Sequence, residues 1–569
     1  MSALTDSLSA ALSQGEQYGR PGLPNAGFAL GRKAGRIRRG VYRSDGRCVT
    51  EPEGHLHRIA PSPDGRLIAA EWAADADENA VLAIIDAHTG EMRVHPHIRI
   101  RYDTVLWKAD SRRLEVVASR DDQIVSLDVE SGEWEATATA QGTRVRFFRG
   151  GRGGLLARRA TDGGTVLIDR ASDTCLGTFA ALFRAMPLAD GILVWRDAGL
   201  DAVDIDGGIR WRWDSTEQIV DVAVQGEQVV VLVVRGGRSV IVTLRDGQIV
   251  RTQELTADHD AVSATGISVD AGVLHVAVEG PLTPPQIVEC DRIATLDRRA
   301  APAPSGATTV RHEIRTDDGA DLVVHVTSDP DPSIPRPLIL TCYGGFGVAY
   351  LPAFEPTIPA WLAHGGAYAT AQLRGGGEHG VQWRDAGSGS NKHRTIADLA
   401  AVARALVDRG ITRPELLVLV GASLGGVIVA SCALEHPGLC AGVVTTGAPL
   451  DLLGLDGHPL GRLWKSEFGD DGTPEGRERV RRISPLAQAE ALPRGSATPE
   501  FLGIVLEKDT RVIARDTVRT VEALLRAGGS ARMWTAPAAG HGSNDLTSLH
   551  ELGLTALDFA ARLTMEHSE

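Results

Sequence analysis

At 569 residues the chain is too long for one ordinary core, so two or more domains are expected. It is 43% hydrophobic and 23% charged, the balance of a soluble globular protein, and no run of 18 apolar residues offers a membrane span. The net charge of −14, with basic residues scattered among acids, argues against nucleic acid or an anionic membrane as partner. Residues 1–15 carry neither a basic cluster nor an apolar stretch, so no secretory leader is expected. Cys48, Cys175, Cys290, Cys342, Cys432 and Cys440 stand far apart in no metal-binding spacing, which reads as reduced, mostly buried thiols of a cytoplasmic protein.

Residues 1–50 are read as an N-terminal segment packing on the C-terminal domain. From 51 to 300 the chain repeats two-residue alternation and tight turns. Asp86, Asp128, Asp169 and Asp204 mark successive copies at intervals of 42, 41 and 35 residues, with looser copies at Asp246 and Asp291. A period near 40 built of four short strands is the signature of β-propeller blades. Six copies are visible and a seventh is allowed for in a degenerate segment, so six or seven blades are expected.

Residues 300–307, rich in proline and alanine, mark a joint. Beyond it, over 301–569, strands alternate with helices. Strands are predicted at 322–327, 337–343, 368–373, 416–420, 442–446, 501–506 and 531–535, and helices at 395–408, 427–435 and 515–527. This alternation builds a doubly wound, mostly parallel sheet. On its central strand, Gly421-Ala422-Ser423-Leu424-Gly425-Gly426 has the pattern of a nucleophile elbow, in which small neighbours leave room for a strained serine exposed above a helix N-terminus. The domain is therefore predicted to be an α/β-hydrolase.

A serine nucleophile needs a base, and the chain order of this fold is serine, acid, histidine. His541, between Gly540 and Gly542, and Asp509 both follow late apolar strands at the end of the sheet where Ser423 emerges. His436, His458, His550 and His567 are read as surface or packing histidines. Asp451 remains an alternative acid, with Glu507 and Asp516 behind it.

These residues resemble the prolyl oligopeptidase family of serine peptidases over nearly the whole chain. Tyr343-Gly344-Gly345-Phe346 is similar to its oxyanion loop, Arg374-Gly375-Gly376-Gly377-Glu378-His379-Gly380 to its glycine-rich segment, and Asn391-Lys392 to the lysine motif that follows. The elbow, Asp509-Thr510-Arg511-Val512 and Gly540-His541-Gly542 complete the set. The resemblance implies that Tyr343 and the Leu424 N–H hold the oxyanion, that Arg511 binds a substrate carbonyl, and that Phe346 and Val512 line the pocket before the scissile bond. The alternatives are a packing tyrosine, a salt bridge from Arg511 to Asp516 or Glu507, and core packing of Phe346 and Val512. Arg374 and Glu378 read as loop-ordering residues. The family's propeller covers the active site and admits short or flexible peptides.

One stretch departs from the family. Aligned on Ser484-Pro485, Arg479 stands where prolyl-specific members stack a tryptophan on proline, and Ile483 where they carry a tyrosine. Strict proline specificity is therefore not expected. Arg479 is a candidate for selecting an acidic or polar group, against the alternative of an exposed arginine on a basic helix face. The function expected is hydrolysis of short peptides or peptide-like substrates without metal or organic cofactor. The alternatives are an esterase or acyl-transferring cyclase acting on a peptide natural product, and an inert propeller-based binding protein.

Overall fold

The computed structural model describes residues 2–14, 22–101, 105–118, 121, 123–139, 145–148, 154–159, 164–255, 262–295, 302–329, 334–542 and 544–565. His567 and the first two residues of the joint at 300–307 lie outside the described residues.

Seven small antiparallel sheets form the propeller. Its sixth blade shows how the sequence pattern becomes packing. Gln228–Arg235 and Arg238–Arg245 are central strands, buried along nearly their whole length, whereas the outer strand Gln248–Glu254 is almost entirely exposed. Alternate residues of a strand point to opposite faces. Val229, Val231 and Val233 therefore pack with Met186, Leu193 and Leu200 of the fifth blade, and Val230 and Leu232 with Ala264 and Val276 of the seventh.

Four of the recurring aspartates, Asp86, Asp128, Asp169 and Asp204, cap the turn after the third strand of their blades. Asp86 Oδ1 accepts from the N–H groups of His88 and Thr89, Asp128 Oδ1 from Glu130 and Ser131, and Asp204 Oδ1 from Asp206 and Gly208. A short side-chain acceptor that closes its own turn is what makes aspartate the marker there.

The blade count is seven, and the blade that the periodicity does not mark comes from within residues 1–50. Phe28–Gly31, Gly40–Arg43 and Cys48–Thr50 form a three-stranded sheet. Phe28 and Val41 pack with Leu56, Ile68 and Ile85 of the next blade. Asp270 of the last blade accepts from Ser44 Oγ at 2.8 Å and from Gly27 N at 3.2 Å, which ties the two ends of the ring together. The reading of residues 1–50 as a hydrolase-packing segment thus fits the helix Ser2–Gln14, whose Leu4, Leu8 and Leu12 pack with Trp361, Leu557 and Phe559, and Ile37, whose carbonyl accepts from Leu546 N at 3.1 Å.

The C-terminal domain is an eight-stranded sheet: β1 (Thr308–Arg315), β2 (Asp321–Ser328), β3 (Leu338–Cys342), β4 (Ala367–Gln372), β5 (Leu417–Ala422), β6 (Gly442–Thr446), β7 (Glu500–Leu506) and β8 (Ala531–Ala536). They lie in the order β1-β2-β4-β3-β5-β6-β7-β8, parallel from β4 onward. One face packs on Lys392–Asp408 and Leu424–Glu435, the other on Ser2–Gln14, Thr357–Leu362 and Leu546–Thr564. No helix of the described residues is long and apolar enough to cross a membrane. All six cysteines are free; Cys342, Cys432 and Cys440 are buried, but Cys48 and Cys175 are exposed on the propeller, so burial is not general.

The glycine-rich segment 374–380 lies against the propeller. A Cβ on Gly380 would sit 1.8 Å from the Thr216 carbonyl oxygen, and Gly237 N donates to the Glu378 carbonyl at 3.2 Å. Arg374 is buried on Asp398 and reaches Asp318. Glu378 is fully buried, accepts from Tyr350 N at 2.7 Å, and has its carboxyl pushed up to about 7, chiefly by that burial. A carboxyl raised by folding binds protons in the native state that the unfolded chain has released, so its contribution is complete below the ordinary value of 4.5 and is lost as pH rises to about 7. Glu378→Gln does not titrate, so its stability relative to the parent should rise between about pH 5 and pH 8 when both are melted across that range. Parallel pH profiles would show that Glu378 does not change its affinity for the proton on folding.

Candidate active site

The turn from β5 into the helix Leu424–Glu435 holds Ser423 at φ 53° and ψ −124°. Few side chains tolerate that conformation, and it is kept because its surroundings leave no other. A Cβ on Gly425 would lie 2.4 Å from the Cys342 carbonyl, so the helix presses directly on the end of β3. Ser423 N donates to the Thr446 carbonyl at 2.8 Å, fixing the turn to β6 as well.

His541 comes to the same place. Its Nε2 is 3.2 Å from Ser423 Oγ and its Nδ1 is 2.7 Å from Asp509 Oδ2. Asp509 Oδ1 accepts from the N–H groups of Arg511 at 2.8 Å and Val512 at 2.9 Å, which leaves Oδ2 to the imidazole. With Nδ1 donating to the carboxylate, Nε2 is the acceptor facing the serine hydroxyl. Asp509 and His541 are nearly buried, so the pair works in a medium that strengthens its attraction.

The competing residues are engaged elsewhere. His458 and Asp516 are fully buried and bond to each other at 2.8 Å, with His458 Nδ1 accepting from Ile513 N; they anchor the far end of the acid loop. His436 meets Arg404 and His550 meets Ser9. Asp451 caps Gly454 and pairs with Arg519, and Glu507 accepts from Ala538 N.

Tyr343 follows β3 at the edge of the elbow. Burial raises its phenol above the ordinary value, the Glu467 carboxylate adds to this and the Arg511 guanidinium opposes it, so the hydroxyl stays protonated as a donor. Its ring stacks on Tyr350, centroids 6.3 Å apart. Beneath it, buried Lys392 donates to the Gly344 carbonyl at 2.9 Å and pairs with Glu467 at 2.5 Å. Burial lowers the lysine's proton affinity and the carboxylate restores part of it. Leu424 is buried at the start of its helix, where the first N–H groups have no acceptor within the helix. Of the pocket candidates, Val512 is buried in the acid loop and Phe346, at φ 53°, is 40% exposed.

For Arg511 the partner differs from the alternatives considered, and for Arg479 the exposed-arginine alternative is the one observed. Arg511 pairs neither with Asp516 nor with Glu507; its Nε lies 3.0 Å from Glu78 of the propeller, which its Nη2 also contacts. Arg479 is not brought to the site. Its guanidinium lies at the surface 2.7 Å from Asp471, on the helix Pro474–Ile483, because an acid one loop away offers it a partner in water.

Glu78 and Glu467 are the functional neighbours that sequence reasoning misses. Neither belongs to a local pattern: Glu78 sits in an acidic turn between two propeller strands, and Glu467 at the end of a short helix. Glu78 is only 2% exposed and is shared by Arg101, Arg511 and Thr510 Oγ1. Two residues before it, the Ala76 carbonyl would lie 1.9 Å from a Cβ on Gly540, so the same propeller loop touches both the acid loop and the histidine loop. Glu78→Gln leaves Arg101 and Arg511 without their shared anion, at a cost of about 2 kcal/mol given their partial exposure. It should lower the melting temperature and speed amide exchange at 508–512 and 539–542. Unchanged exchange in those loops would show that Glu78 does not hold them.

Residues 352–566 match the model of the prolyl oligopeptidase family. The prolyl endopeptidase of Elizabethkingia meningoseptica is 32% identical over 179 residues, 31% of this chain and 25% of that protein. The chain spans about a quarter of the length of the curated relatives it matches. A solved prolyl endopeptidase is similar in fold, with TM-score 0.85 at 21% identity over 99% of this chain and 91% of the other. So is prolyl oligopeptidase B from Galerina marginata bound to a 35mer hydrolysis and macrocyclization substrate, with TM-score 0.81 at 16% identity over 99% and 90%. Within the α/β domain, residues 352–566 are a prolyl oligopeptidase family domain.

Proposed function

We propose that the protein is a serine peptidase that hydrolyses short peptides through an acyl-enzyme, with Ser423 as nucleophile, His541 as general base and acid, and Asp509 as the residue that orients the imidazole. The observation that carries this reading is the line from Asp509 Oδ2 through His541 to Ser423 Oγ, at 2.7 and 3.2 Å. Ser423 Oγ attacks the scissile carbonyl as His541 Nε2 takes its proton. The carbonyl oxygen becomes an oxyanion held by the Tyr343 hydroxyl and the Leu424 N–H. His541 then protonates the leaving amine, and water, activated by the same imidazole, releases the acid.

Arg511 meets the carbonyl of a neighbouring peptide unit, its guanidinium plane set by Glu78. Phe346 and Val512 line the pocket before the cut. Arg479 is left out of that pocket because of its bond to Asp471. Unpaired, well-separated thiols support a cytoplasmic location.

A fluorophosphonate probe should label the protein at Ser423 and fail on Ser423→Ala; persistent labelling would move the nucleophile elsewhere. Matched peptide amides and esters separate the peptidase from an esterase or a transferring cyclase, since ester turnover or ring closure without amide hydrolysis would replace peptide hydrolysis as the activity. Tyr343→Phe removes one oxyanion donor and should lower kcat by about 10²–10³ with little change in KM. A fall confined to KM would make the tyrosine a packing residue.

A further inference from the structure

The loop that carries Tyr343 leaves the end of β3 and turns sharply through Gly344, Phe346 and Gly347, at φ 66°, 53° and 65°. Backbone of that kind keeps a fixed course only where its surroundings enforce one. Two ties do so along the main chain. Val348 N donates to the Gly345 carbonyl at 3.0 Å, and Gly347 N to the Gly375 carbonyl at 3.0 Å. They fix the path of the loop and leave the Tyr343 ring to be placed by what it touches.

The ring it meets is Tyr350, where the loop returns to the sheet. The two rings lie 28° from parallel with centroids 6.3 Å apart, within the range of offset-stacked pairs. Tyr350 is itself anchored at both ends. Its hydroxyl lies 3.2 Å from Thr341 Oγ1, and its N–H donates to the fully buried Glu378 carboxyl at 2.7 Å. Thr341 belongs to β3, paired with Thr370 of β4 and Val420 of β5, so it moves only with the sheet. Burial holds the Tyr350 phenol above its ordinary value, which keeps it a neutral hydroxyl and preserves the tie to Thr341 at alkaline pH. A ring that merely filled space would have no use for that hydroxyl.

We propose that Tyr350 is a positioning residue for the oxyanion donor: it carries the rigidity of the sheet from Thr341 to the Tyr343 ring and so sets where the Tyr343 hydroxyl stands relative to Ser423. The inference rests on the reading of Tyr343 as an oxyanion donor. A misplaced donor meets the oxyanion poorly and leaves the ground-state contacts of the substrate alone, so its loss falls on kcat.

The test uses the full chain, a fluorogenic peptide amide and a matched nitrophenyl ester. Tyr350→Leu, which removes the ring, should lower kcat about tenfold with KM within about twofold of the parent; Tyr350→Phe, which keeps the ring and loses the tie, should lower it about threefold. Tyr343→Phe supplies the reference. Once the phenol is gone its placement no longer matters, so adding Tyr350→Leu to Tyr343→Phe should lower kcat by less than about twofold more. Melting temperatures separate a change of placement from a loss of fold. If Tyr350→Leu does not fold, Tyr350→Phe and Thr341→Val carry the test, each lowering kcat about threefold and the two together no further than either alone. Unchanged kcat in the folded Tyr350 variants, a loss confined to KM, or full additivity with Tyr343→Phe overturns the inference and leaves Tyr343 as donor. Unchanged kcat in Tyr343→Phe overturns the donor reading and this inference with it. Turnover of the ester alone overturns the peptidase reading, and the same variants then decide this inference on the ester.

Discussion

The contact on which the catalytic end of the sheet depends is the one between Gly425 and the carbonyl of Cys342. Only a residue without a side chain lets the helix after Ser423 close on the end of β3. That approach sets the serine beside the loop that begins with Tyr343. It also seats Leu424 Cδ2 where a Cβ on Gly345 would be, 2.0 Å away, so the loop 343–346 is moulded on the helix start. The backbone strain at Ser423 costs about 1–3 kcal/mol. The helix offsets it by burying Val427, Ile428 and Val429 in the core between sheet and neighbouring helices. Lys392, itself paired with Glu467, completes the arrangement from below by donating to the Gly344 carbonyl.

The propeller belongs to this site rather than merely standing over it. A carboxylate as buried as Glu78 is tolerated only where cations meet it, and here one cation comes from each domain, Arg101 from the propeller and Arg511 from the acid loop. The backbone of the same turn touches Gly540, next to the base. Separating the domains would break the bridge from Glu78 to Arg511 and remove the wall behind the histidine loop together. Docking of the propeller and ordering of the two catalytic loops are therefore one event in this geometry, with the acid loop held a second time by His458 and Asp516.

Much of this was legible in the sequence where the physics is local. The elbow, the acid and histidine loops and the parallel strands are written in short runs whose spacing reflects one turn or one strand. The helix at 515–527 falls where its periodicity places it. Asp86, Asp128, Asp169 and Asp204 report blades because each closes its own turn. What was not legible is what depends on partners distant in the chain. The first blade escapes the repeat because its strands, of four, four and three residues, are too short to show alternation, and it is held by Asp270, more than two hundred residues away. Glu78, Glu467 and the pairing of His458 with Asp516 have the same character: ordinary polar residues whose roles arise only from what the fold brings against them.

The same distinction bears on specificity. The helix Pro474–Ile483 offers no ring to a proline: Arg479 is drawn outward to Asp471, and Ile483 is buried in the core, its carbonyl accepting from Ser431 Oγ. Apolar surface has instead gathered at the domain boundary, on Phe346 from one side and on Phe183 and Trp195 from the other. A pocket shared in this way is complete only when the propeller is docked. The buried bridge at Glu78 imposes the same condition on Arg511. The boundary cavity and the two loops that carry Asp509 and His541 then draw on a single set of contacts between the domains.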